Sequence, residues 1–283
     1  MTLDVVALRA FYESPLGETA RRFVGRALDD FLAPVGGARV MGLGYPGPFL
    51  HAARGRAERV LAFMPAAQGV EPWPADARSA ACLADSLMLP LPDGCIDRVL
   101  LVHALETSED PDELFYEVWR VLAPGGRLAV VVPNRGGLWA RMDVTPFGYG
   151  QPYSRGQLKA LMRRTLFTPE TWTETLYVPP LPSRVLRGSA GAWERLGTRL
   201  SLPFAGVHVV EATKQLHRPL MVRQTRRGTR FIPVLVPQAN GAATRRAAGS
   251  TRVGSSDAVG AAVQLPRSRA STSAAFRSGG KTG

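Results

Sequence analysis

Residues 85–134 read DSLMLPLPDGCIDRVLLVHALETSEDPDELFYEVWRVLAPGGRLAVVVPN, and this stretch decides the fold. Two apolar runs of strand length, Ile96–Val102 and Leu128–Val132, flank a polar segment that reads as a helix over Pro111–Leu122. Asp110 and Glu113 have the spacing of a capping box, and the fixed φ of Pro111 suits the first helical position. Leu114, Val118, Val121 and Leu122 give the helix one apolar stripe. Strands that are apolar on both faces belong in a parallel sheet covered on both sides.

The same alternation continues outward. Upstream, strands are predicted at Ala38–Leu43, Arg59–Met64 and Ala80–Ala84. Two helices precede them, roughly Leu3–Glu13 and Pro15–Leu32, with Ser14 and Pro15 as cap and first turn. Downstream, a helix over Arg155–Thr165 opens with Ser154 and Gln157, again a capping-box spacing. Two late strands follow, near Trp172–Val178 and Gly206–Ala212. Strands alternating with helices give an α/β fold with an open, doubly wound sheet.

Composition narrows the function classes. The chain has 283 residues, enough to bury a core without staples. Two cysteines and four histidines exclude a disulfide scaffold and a zinc finger, and no metal site is expected. The net charge of +12 is concentrated at one end, because residues 215–283 hold 12 Lys and Arg against one acid, Asp257. The body is close to neutral, so nucleic acid enters the reading only through the tail. In residues 239–283, 35 of 45 positions are Ala, Gly, Ser, Thr or Arg, too little apolar surface to offset chain entropy. The expected organisation is N-terminal helices at 1–34, an α/β domain at 35–218, an extended strap at 219–238 and a disordered basic tail at 239–283. Met1–Tyr12 carries Asp4 and Arg9 and no apolar run, so a secretory signal is not expected, and no apolar run reaches the roughly 18–20 residues that span a bilayer. A cytoplasmic protein without a membrane span is expected; oligomeric state is not legible.

The first predicted strand runs into Gly42-Leu43-Gly44-Tyr45-Pro46-Gly47-Pro48, which fits G-x-G-x-x-G. Such a turn lets a ligand approach the backbone and a helix N-terminus. Pro46 and Pro48 lack the N–H donors that a pyrophosphate wants, and Met64-Pro65 ends the next strand without an acid. This weighs against a dinucleotide; a plain tight turn is the other reading.

Residues 85–134 resemble the second half of a class I S-adenosylmethionine-dependent methyltransferase domain, of the type 11-like subgroup. The resemblance rests on Leu89-Pro90 through Asp93-Gly94, on Ile96-Asp97, on Arg120-Val121-Leu122-Ala123-Pro124-Gly125-Gly126, and on Val132-Pro133-Asn134. It implies a seven-stranded, mostly parallel, Rossmann-like sheet whose last strand runs antiparallel. It implies S-adenosylmethionine as cofactor. Carried over residue by residue, Gly42, Gly44 and Tyr45 contact the methionine portion. Asp85 accepts from the adenine amino group, flanked by Ser86 and Leu87. Val102, His103 and Ala104 run under the sulfonium.

The chain departs from that family where it usually holds ribose. Gly42 stands where an acid closes the first strand, and Met64 where an acid closes the second. Glu58 and Glu71 are the nearest acids, and neither is well placed in sequence. Two readings follow: a methyltransferase acting on a small-molecule acceptor, or a catalytically inactive module that has lost strong cofactor binding. For the first, His103, Tyr149 and Tyr153 are candidates for proton removal from an acceptor. The loop Thr145–Tyr153 is a candidate lid, and Asn134 reads as a turn residue.

Overall fold

The computed structural model describes residues 3–181, 188–200 and 204–216. The strap and tail expected at 219–283 lie outside the described residues. Helices α1 (Val5–Glu13) and α2 (Pro15–Leu32) lead into β1 (Arg39–Gly44). A one-turn α3 (Gly47–Leu50) precedes β2 (Arg59–Pro65), followed by β3 (Ala81–Ala84) and β4 (Ile96–Val102). Next come α4 (Pro111–Val121), β5 (Leu122–Pro133), α5 (Arg155–Arg164), β6 (Phe167–Thr175), α6 (Ala190–Leu200) and β7 (Val207–Lys214).

The seven strands are ordered β3-β2-β1-β4-β5-β7-β6, and β7 is antiparallel to both neighbours. This is the expected doubly wound, mostly parallel sheet. Local chemistry sets its helices. The Asp4 carboxylate accepts from Ala7 N at 2.7 Å and starts α1, and Ser14 Oγ accepts from Gly17 N at 3.1 Å and starts α2. Asp110 caps α4 through Asp112 N and Glu113 N, and Ser154 with Gln157 forms a complete capping box on α5.

The apolar strands divide their side chains between two cores, as a period of two requires. Leu100, Val102, Ala129 and Val131 face α2, where Val24, Leu28 and Phe31 are fully buried. Val99, Leu101, Val130 and Val132 face α4 and α5, against Leu114, Val118 and Leu161. Each buried Val, Leu or Phe among these contributes about 1.5–3 kcal/mol.

Several boundaries differ from expectation. β5 begins at Leu122, six residues before Leu128, because the ladder to β4 already opens at Ile96–Leu122 and resumes at Arg98–Arg127 after a register shift. β6 spans Phe167–Thr175 rather than Trp172–Val178, since its pairing with β7 starts at Phe167–Lys214. Between β2 and β3 there is no helix; residues 66–80 form an irregular loop carrying Pro72 and Pro74. On that face α1 and α2 supply the cover that crossover helices give elsewhere. No described helix is long and apolar enough to cross a membrane.

Candidate functional site

The turn after β1 is shaped by its own packing. Gly44 has φ +94°, and a Cβ there would overlap the Val102 carbonyl oxygen, so only glycine lets β1 turn against β4. Tyr45 N donates to that same carbonyl at 2.7 Å. At Gly42 a Cβ would overlap the Pro46 ring. Both glycines thus make room for the protein itself.

At the end of β4, Val102, His103 and Ala104 are all buried. His103 takes φ +53°, a left-handed backbone conformation rare for a residue with a side chain. Its Nε2 lies 2.9 Å from Tyr12 Oη on α1, and its Nδ1 lies 3.0 Å from Glu106 Oε1. The Gln68 amide donates to the His103 carbonyl. Phe147, from the expected lid, packs 4.8 Å from the imidazole, and Gln151 N donates to Glu106 O at 2.7 Å. Burial, reinforced by Glu106, pushes the Tyr12 phenol well above its ordinary pKa. The space over β1 and β4 is therefore filled by Pro46, Tyr12 and Phe147.

Open space lies beside it. A cleft of about 410 Å³ is walled by Tyr12, Tyr45, Gly47, Glu71 and Trp73, with Arg9 and Arg21 also in its lining. The Tyr12 and Tyr45 rings stack at 5.7 Å, and Trp73 Nε1 donates to Gly47 O at 3.1 Å. Tyr45 Oη donates to Glu71 Oε1 at 2.6 Å, and Arg9 Nη1 approaches Glu71 Oε2 at 3.7 Å. Burial and the Glu71 carboxylate raise the Tyr45 phenol. Poorly placed in sequence, Glu71 is returned to the glycine turn by the folded 66–80 loop.

The remaining predicted residues lie elsewhere. Asp85 is exposed, its Oδ1 accepting from Leu87 N at 2.9 Å, with Ser86 and Leu87 half-buried. Tyr149 packs with the α2-side core and Tyr153 with the α4-side core. Asn134 is a turn residue: its Oδ1 accepts from Gly136 N at 3.0 Å. Tyr12 and Glu106 are not singled out by the sequence, and Glu71 is named there only as a poorly placed acid. Glu71 had one signal, being the only acid between Arg59 and Ala75. No group of three or more His, Cys, Asp or Glu suited to a metal occurs among the described residues.

The chemistry of the cleft fits S-adenosylmethionine in kind. A carboxylate suits ribose hydroxyls, the arginines suit a carboxylate, and the aromatic walls suit a flat base. The volume lies within the range of small-ligand sites, about 300–1,000 Å³.

Comparison with known proteins agrees with the architecture. Residues 26–130 match the family described as the methyltransferase domain. A demethylmenaquinone methyltransferase of Thermus thermophilus is 37% identical over 95 residues, 34% of this chain and 36% of that protein. A ubiquinone/menaquinone biosynthesis C-methyltransferase of Acidiphilium cryptum is 47% identical over 45 residues, 16% of this chain and 18% of that protein. The matched stretches thus span little more than a third of these relatives at most. A solved S-adenosylmethionine-dependent methyltransferase from Thermotoga maritima has a TM-score of 0.52 at 18% identity, covering 74% of this chain and 95% of that one. That likeness is one of fold.

Proposed function

We propose that this chain, which carries a methyltransferase domain of the class I fold, transfers a methyl group from S-adenosylmethionine to a small-molecule acceptor. The observation that carries the proposal is Glu71 in the cleft beside Tyr45 and Gly47, an acid available to ribose where Met64 is not. Charge-assisted hydrogen bonds of this kind contribute about 1.5–3 kcal/mol each. Arg9 and Arg21 would face the cofactor's carboxylate, and Trp73 and Tyr45 would wall its flat end. When bound, the cofactor supplies an electrophilic methyl group; the chain's part is to position and exclude water. Asp85, Ser86 and Leu87, and Val102, His103 and Ala104, do not line this cleft, so the cofactor contacts that the resemblance implies for them stand outside the proposal. His103 would reach an acceptor through Tyr12, whose ring lines the cleft. The quinone-type acceptor named for the Thermus relative supports a small, partly apolar acceptor here.

A second reading, a non-catalytic module, is favoured by one observation. The space over β1 and β4 is occupied by Pro46, Tyr12 and Phe147. Calorimetric titration with S-adenosylhomocysteine separates the two. The enzyme reading expects saturable, one-to-one binding. No heat up to millimolar ligand favours the module.

A further inference from the structure

A larger cavity, about 1,000 Å³, runs between α5 and β6, away from the cleft. We propose that it binds single-stranded nucleic acid. Arg155, Lys159 and Arg163 line it at four-residue spacing, on one exposed side of α5. Arg164 also lines it and is paired with Asp112, its Nη2 2.7 Å from Oδ2. The other three have no acid partner among the described residues. The groove's single acid, Glu170, turns toward Thr213, which donates to it, and Arg127, 3.8 Å away. Three cations in one groove, on a body that is otherwise near neutral, make a local attractor for polyanions.

The other wall supplies an aromatic surface. Trp172 lies in the groove, and the Arg155 guanidinium sits 4.9 Å from its ring centroid. Thr168 and Thr171 add hydroxyls. A cationic track beside an aromatic ring is the arrangement that holds a flexible strand through its phosphates and bases. An added peptide strand is disfavoured. β6 is the sheet edge, but Pro169 lacks an N–H and the register shifts between Pro169 and Thr171, which blunts the edge.

The sequence beyond the groove points the same way. Gln215 lines the groove, and residues 217–283 then carry 12 of the chain's 35 Lys and Arg with one acid.

The test is fluorescence anisotropy of the full-length chain with a labelled oligouridylate of about 20 nucleotides, titrated between about 50 and 200 mM salt. The probe variant is Lys159→Glu/Arg163→Glu, at two exposed positions, with thermal melting to show an unchanged fold. Wild type is expected to bind with strong salt dependence. The variant is expected to lose at least tenfold in affinity and about 1.4 in the log–log salt slope, two phosphate contacts at about 0.7 each. No binding by wild type overturns the proposal. So does a variant with unchanged affinity and slope, which would assign binding to the tail alone. Equal competition by polyglutamate also overturns it, because the groove would then be a general acidic-peptide site. None of these outcomes depends on cofactor binding.

Discussion

Tyr45 Oη donates to Glu71 Oε1 at 2.6 Å, joining the turn after β1 to the loop after β2. The end of β2 itself is closed, since Met64 is buried. The chain turns at Pro65, whose carbonyl accepts from Gln68 N at 2.9 Å, and rejoins the sheet where Ala62 N donates to Ala80 O at 3.0 Å. Between those two anchors the loop swings Glu71 to the glycine turn. An acid displaced in sequence is thereby restored in space, with Arg9 of α1 beside it.

The glycines of the turn answer to packing. Gly44→Ala combines a positive φ with overlap of the Val102 carbonyl, and is expected to cost about 3 kcal/mol or more. Gly25→Ala, within α2 and with nothing within 4 Å of its Cβ, is expected to stabilise by about 0.5–1 kcal/mol. Urea denaturation of the pair checks both signs. A Gly44→Ala protein with an unchanged midpoint would contradict the packing of β1 on β4.

The signature segment is held by a clamp. Arg120 donates to Glu117 Oε2 at 2.8 Å, Asp93 Oδ1 at 2.6 Å, Leu91 O at 2.8 Å and Leu89 O at 3.1 Å. Glu117 Oε1 accepts from Leu89 N at 2.6 Å, and Arg120 holds the Glu117 carboxyl below its ordinary pKa. Glu117→Ala strands Leu89 N but leaves the guanidinium with Asp93, Leu91 O and Leu89 O, so a loss of about 1–3 kcal/mol, read by denaturation, is expected. Arg120→Lys, which keeps charge but not the fork, is expected to lose part of it. A wild-type midpoint in Glu117→Ala would show the clamp to be idle.

His208 makes the fold sensitive to acid. It is buried on β7, and the Trp172 indole donates to its Nδ1 at 3.3 Å, which leaves a neutral ring protonated on Nε2. Burial, then Arg155, lowers its pKa to about 4. Glu174, 3.4 Å from Nδ1, pulls toward the charged form, but the indole N–H occupies that lone pair and burial outweighs it. The unfolded histidine, near 6.5, binds its proton first as pH falls. Stability is therefore full above about pH 6.5 and declines toward pH 4, by at most about 3 kcal/mol for this group. His208→Gln is expected to flatten that part of the stability profile. An unchanged acid limb in the variant would place the titration elsewhere.

Much of the architecture is legible because it is written locally. Caps at Asp110 and Ser154, and apolar runs such as Ile96–Val102, fix elements within a few residues of themselves. The early start of β5 is hidden because Pro124-Gly125-Gly126 reads as a turn. The short turn of α3 and the helix-free 66–80 loop follow prolines whose consequence is visible only once α1 and α2 occupy that face. The site is less legible than the fold. Tyr12 meets His103 across 91 positions and Tyr45 meets Glu71 across 26, and no periodicity encodes either encounter. Tyr12, one turn from Leu8 on the buried side of α1, reads as a core residue until its hydroxyl finds the imidazole.

The central claim is that Glu71 holds the cofactor's ribose. Its most direct test is the dissociation constant of S-adenosylhomocysteine and of its 2′-deoxy analogue, on wild type and on Glu71→Gln. Glu71→Gln is expected to weaken the parent ligand at least tenfold. The missing hydroxyl should cost a similar factor on wild type and little on the variant. Equal affinities of wild type and Glu71→Gln for the parent ligand would contradict the account.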